Sequence, residues 1–150
     1  MTLSEFIQEG VICFLEEKNR DAVLRKLVEA LADSGELADK NEFFSAILKR
    51  EQIVSTGIGM GVAIPHAKLP QFKRFFIAIG LQKANEGIEW DALDGAPVRL
   101  IFMIGGPSSE QTEYLKILSR LTAAIKDEER RKSLMQATSR DGVISLFEGL

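Results

Sequence analysis

A single cysteine, Cys13, leaves this chain without an internal disulfide framework, as suits a reducing compartment. It lies in Val11-Ile12-Cys13-Phe14-Leu15, where a buried core thiol is expected. A single histidine, His66, excludes a multi-histidine metal cluster, and no spacing of carboxylates around it suggests a metal site. No apolar stretch approaches the ~20 residues of a membrane span, so the chain is not expected to be membrane-embedded. The N-terminus has no basic segment followed by an apolar one, so no signal peptide is read there and a cytoplasmic location is expected. Blocks of like charge are also missing. The formal net charge is −3, which argues against a strongly basic face for nucleic acid. No repeat, low-complexity tract or linker interrupts the 150 residues, and one domain over 1–150 is expected.

What is present is the balance of a globular α/β protein, 45% hydrophobic and 27% charged. Residues 11–15 read as a buried strand. Asn19 can cap a helix whose apolar positions are Val23, Leu24, Leu27, Val28 and Leu31, with Gly35 past its end. Asp39 and Glu42 resemble a capping box ahead of Phe43, Phe44, Ile47 and Leu48. A short strand over Val62–Ile64 is stopped by Pro65. Strands are expected over Phe75–Leu81 and Val98–Ile104, the latter broken by Gly105-Gly106-Pro107. Ser108-Ser109-Glu110 then opens a helix with Leu115, Leu118, Thr122 and Ile125 on one face. Short helices over Glu128–Gln136 and Asp141–Phe147 close the chain. This order predicts an α/β sandwich, with a mixed sheet because hairpin-length connections and helical crossovers both occur.

The chemistry concentrates around His66. Its position after a proline favours an imidazole at a strand end over one packed in a helix. Upstream, Ser55-Thr56-Gly57-Ile58-Gly59-Met60-Gly61 has glycine at every second position from 57. Such backbone is compatible with a plain turn, or with amides that cradle an anion. Neither nucleotide-loop pattern, G-x-x-x-x-G-K-[ST] nor G-x-G-x-x-G, is present. A neutral imidazole is a competent nucleophile, and a nucleophile beside an anion cradle suits phosphoryl transfer. Arg50 is compatible with a solvated helix terminus or with a guanidinium fork on phosphate oxygens.

Arg50-Glu51, Ser55-Thr56-Gly57-Ile58-Gly59, Gly61-Val62-Ala63-Ile64-Pro65-His66 and Lys68 together resemble the signature of enzyme IIA (EIIA) of the bacterial phosphotransferase system, in its fructose/mannitol class (type 2). That class includes the nitrogen-regulatory enzyme IIA. The resemblance implies a three-layer α/β/α sandwich with a mixed central sheet. It implies that His66 accepts phosphate from the phosphohistidine of an HPr-type carrier or its nitrogen-branch relative. Arg50 would stabilise the transferred phosphate, Thr56 and Gly57 would line its pocket, and no cofactor or metal is implied. Tyr114 stands where members usually carry a second histidine, and would meet the phosphate with a hydroxyl in place of an imidazole. Met60 stands where mannitol-type members place a glutamate. The chain ends at Leu150 with no attached IIB or transporter segment, which favours a regulator whose phosphorylation state decides what it binds. The alternative is a free-standing sugar EIIA that relays phosphate to an EIIB. A more distant one is a non-catalytic regulatory module of the same fold.

Overall fold

The computed structural model describes residues 1–83 and 86–150. Two apolar clusters lie on opposite faces of one sheet, and together they fix the layering. One packs Leu24, Leu27, Phe43 and Ile47 of two helices against the sheet. The other packs Phe6, Leu121, Leu134 and Phe147 against its reverse.

Strand β1 (Val11–Leu15) is followed by helices α2 (Arg20–Asp33) and α3 (Lys40–Ile53), which form one outer layer. Asn19 caps α2 through the Ala22 amide, and Asp39 caps α3 through the Glu42 amide. Gly35 follows α2 with φ +90°, a conformation that leaves the helix at little steric cost to glycine. Helices α4 (Gln111–Ile125), α5 (Glu128–Gln136) and α6 (Arg140–Ser145) join a short N-terminal α1 (Leu3–Gln8) in the other layer. α1 is not among the helices expected from sequence; Thr2 starts it by accepting the Glu5 amide.

The sheet runs β1-β5-β6-β3-β2, with β4 also paired to β6. β2 is Gly57–Gly59, β3 Val62–Ala63, β4 His66–Leu69, β5 Phe76–Gln82 and β6 Leu100–Pro107. β1–β5, β3–β6 and β4–β6 are parallel, while β5–β6 and β2–β3 are antiparallel, so the sheet is mixed. β3 pairs with the start of β6 and β4 with its end. Between them, the Pro65 carbonyl accepts the Ile104 amide. Pro65 therefore interrupts one line of pairing rather than ending it, and His66 opens the resumed stretch.

Three local expectations are corrected. β1 is an edge strand and mostly half-buried, so Cys13 is only half-buried too. Gly105, Gly106 and Pro107 do not break β6; they complete it. A Cβ at Gly105 would lie 2.8 Å from Phe43 and nearer still to Phe76, so the glycines make room for aromatic rings. On α4 the buried residues are Tyr114, Leu121, Ala124 and Ile125, and Leu115 faces solvent.

Candidate functional site

His66 is half-buried, not fully exposed, at the first position of β4. Its Nδ1 lies 2.9 Å from the Ile64 carbonyl oxygen. A carbonyl only accepts, so Nδ1 carries the ring proton and Nε2 keeps the lone pair. Burial pushes the His66 pKa below its usual 6.5, and the cations of Arg50 and Lys68 act in the same direction. The Ile64 bond and the Glu51 carboxylate oppose that shift. The ring is therefore predominantly neutral at neutral pH.

It lines an open cavity of about 370 Å3 together with Arg50, Thr56, Met60, Tyr114 and Lys126. Arg50, in the last turn of α3, donates from Nη1 to the Val54 carbonyl at 2.8 Å. That bond stitches the chain reversal after α3 and leaves further guanidinium donors. Tyr114 enters from the first turn of α4, with its ring centroid 5.5 Å from that of His66. Phe75 stacks on it at 6.1 Å, and the Lys68 ammonium sits 4.4 Å from its centroid. Lys68 also bonds the Gln111 side chain. Burial raises the Tyr114 pKa above 10.0, against the pull of Arg50, so its hydroxyl keeps its proton throughout the physiological range.

The glycine segment is a hairpin of β2 and β3 rather than an open anion cradle. Met60 (φ 60°) and Gly61 (φ 74°) form its tip, both in the left-handed region that tight hairpin turns demand. Three of the segment's amides are engaged. Thr56 N–H donates to Glu51 Oε2 at 2.8 Å, Gly57 N–H to Ser55 Oγ at 3.1 Å, and Met60 N–H to Asp94 Oδ2 at 3.2 Å. The Ala96 amide, and then that of Met60, hold the Asp94 carboxyl below its usual pKa. Thr56 lines the cavity; Gly57 is not among its lining residues. A Cβ at Gly57 would meet Ala92 at 2.8 Å, so this glycine serves the close approach of the 90–94 segment.

The expected residues His66, Arg50, Thr56 and Tyr114 thus converge on one cavity. Behind its wall stand Glu51, which the sequence places in the signature without a role, and Trp90, which no sequence pattern marks. Glu51 is buried, and its Oε1 accepts the Thr56 hydroxyl, which also accepts Trp90 Nε1–H at 3.3 Å. Spacing held a clue, since Phe43, Ile47 and Glu51 recur every fourth residue on the buried face of α3. Lys126, at the α4 C-cap, was also missed. Away from the termini, the large exposed hydrophobic residues are Ile53, Val54, Met60, Leu93 and Leu115. They sit on the segments that frame this cavity or clasp the hairpin. Among the described residues, no cluster of His, Cys, Asp and Glu could hold a metal ion, and no helix is long and apolar enough to cross a membrane.

The model of the family described as "Phosphoenolpyruvate-dependent sugar phosphotransferase system, EIIA 2" matches residues 5–149. The chain is 37% identical over 148 residues to the fructose-specific EIIABC component of Bacillus subtilis, covering 98% of this chain but only 23% of that longer protein. It is 34% identical over 147 residues to the nitrogen regulatory protein homolog of Haemophilus influenzae, covering 96% of this chain and 86% of that one. The crystal structure of nitrogen regulatory protein IIA-Ntr from Neisseria meningitidis superposes with a TM-score of 0.85 at 27% identity, over 97% of this chain and 98% of that one.

Proposed function

The chain belongs to the EIIA type 2 family of the phosphotransferase system, and from that premise we propose that residues 1–150 act as one cytoplasmic EIIA domain in which His66 carries a phosphoryl group between proteins. The donor is the phosphohistidine of an HPr-type carrier. The Nε2 lone pair of His66 forms a new N–P bond as the donor's N–P bond breaks. The electron pair of the broken bond returns to the donor's ring nitrogen. Arg50 and the Tyr114 hydroxyl supply donors to the phosphoryl oxygens, and Thr56 shapes the wall behind them. Exposed Met60 lines the cavity, and exposed Val54 and Leu115 adjoin its lining residues Ser55 and Tyr114 in sequence, apolar surface that offers a seat for a protein rather than for a free sugar.

The observation that carries this reading is the ring itself. The Nδ1–H of His66 is fixed by Ile64, and its ring opens onto a cavity beside a guanidinium. Phosphorylation would add up to about two negative charges at that mouth, enough to make or abolish an interface. We assign the phosphorylated and free forms different partners, the nitrogen-regulatory mode. Relay to a sugar EIIB is the alternative, and relatives of both kinds match the chain.

Incubation with enzyme I, HPr and labelled phosphoenolpyruvate tests the proposal. Wild type takes label and His66→Ala takes none; equal labelling of the two would defeat it. Chasing the labelled protein with sugar EIIB domains then separates the modes. Prompt transfer to one of them replaces regulation with relay.

A further inference from the structure

Glu51 has no part in the chemistry described so far, yet it is one of few buried polar side chains, at 4% exposure. Burying a carboxylate is costly unless its oxygens are satisfied. Both are: Oε2 accepts the Thr56 amide at 2.8 Å and Oε1 accepts the Thr56 hydroxyl. Each oxygen acts as an acceptor, as in an ionised carboxylate. The Thr56 hydroxyl, donating to Glu51 and accepting from Trp90, has no proton left for a ligand. Its amide is equally committed. Thr56 thus lines the cavity without offering it a donor.

The same carboxylate follows Arg50 directly in α3. Arg50 closes the chain reversal at Val54 and Glu51 closes it at Thr56, so the two bonds fix the segment between α3 and β2. The charged and titratable groups facing His66 are Arg50 and Glu51 from α3, Lys68 from β4, and Tyr114 and Lys126 from α4. Glu51 is the anion of that set. A dianionic phosphoryl group among cations alone would be held tightly. A fixed negative charge behind the wall weakens that hold.

We propose that Glu51 is a positioning residue of this site, a buried carboxylate that commits both Thr56 donors to the protein and keeps the phosphoryl group on His66 transferable. This rests on the phosphohistidine reading above. The affected step is the reversible exchange of one N–P bond for another, with no other reactant.

Phosphoryl partition between this chain and HPr at equilibrium is the deciding measurement, made on wild type, Glu51→Gln and Glu51→Asp. Glu51→Gln removes the charge and should shift the partition toward this chain by about tenfold or more, the effect of one charge within ~12 Å at an effective dielectric constant of ~20. Its His66 ring should also titrate at lower pH by NMR. Glu51→Asp keeps the charge and should partition close to wild type. A folded Glu51→Gln with unmoved partition and unmoved His66 titration overturns the proposal. If Glu51→Gln fails to fold, Glu51→Met, which keeps the length and removes the charge, takes its place in the same measurement, and an unmoved partition overturns the proposal. If no chain takes the phosphoryl group, it is the reading of His66 that falls. A labelled wild type beside an unmoved Glu51→Gln overturns the claim about Glu51 alone.

Discussion

Arg50 commits one guanidinium nitrogen to the Val54 carbonyl and keeps its other donors at the mouth of the His66 cavity. Arg50→Ala therefore separates two effects. Losing a half-exposed bond to a carbonyl should cost about 0.5–1.5 kcal/mol of stability. Losing a preorganised cation from phosphoryl transfer should slow phosphorylation by roughly 10²–10³-fold. Stopped-flow or quench measurements of transfer from phospho-HPr, set beside urea unfolding, check the split. Unchanged transfer kinetics would make Arg50 ordinary surface. Sequence singles out His66 because a proline-histidine step after a glycine-dense segment is a local pattern, and Arg50 because it closes the helix just before that segment. The roles of Glu51 and Trp90 are not legible because they depend on Thr56, and Trp90 reaches Thr56 from 34 positions along the chain. The engagement of the Met60 amide was invisible for the same reason: Asp94, which takes it, lies 34 residues away.

The helices were the more legible elements, since Asn19, Asp39 and the apolar spacing of α2 and α3 are local signals that tertiary packing then reinforced. The strands around the site were less so. β2 and β4 are three and four residues long, too short for any periodicity to register, and β4 exists because β6 offers it Ile104 to Pro107. Gly105 and Gly106 look like a breaker only until Phe43, Phe75 and Phe76 are packed over them. That packing has a measurable consequence. Gly105→Ala must push Phe76 or Phe43 aside, and both are buried at 5% exposure or less. Overpacking of this kind costs about 1–3 kcal/mol. The lowered denaturation midpoint should come without loss of His66 labelling in the folded fraction, because Gly105 abuts the α2/α3 face whereas Tyr114 belongs to the opposite cluster. A wild-type midpoint would mean the rings have room to give.

For the whole molecule, the shifted groups bound a pH window of stability. His66 has its pKa depressed below 6.5, chiefly by burial and then by Arg50 and Lys68. Above pH 6.5 the folded and unfolded rings are both neutral, and the associated stability is fully present. As pH falls below that value the unfolded ring takes up protons first, so stability is lost as pH drops through the folded pKa. Cys13 and Tyr114 are both raised, from 9.0 and 10.0, each mainly by burial. Their contributions are intact below those values and fade as pH climbs through the folded ones. A plateau from about pH 6.5 to about pH 9 follows from these three groups. Carboxylates also lose stability in acid, Asp94 among them, so His66 has to be isolated by difference. Urea midpoints of wild type and His66→Gln should run parallel across the plateau. Below it the wild-type midpoint should fall faster, because only wild type must keep a neutral imidazole half-buried among cations. If the two midpoints stay parallel down to pH values well inside the acid limb, the ring is not the constrained base on which phosphoryl transfer depends.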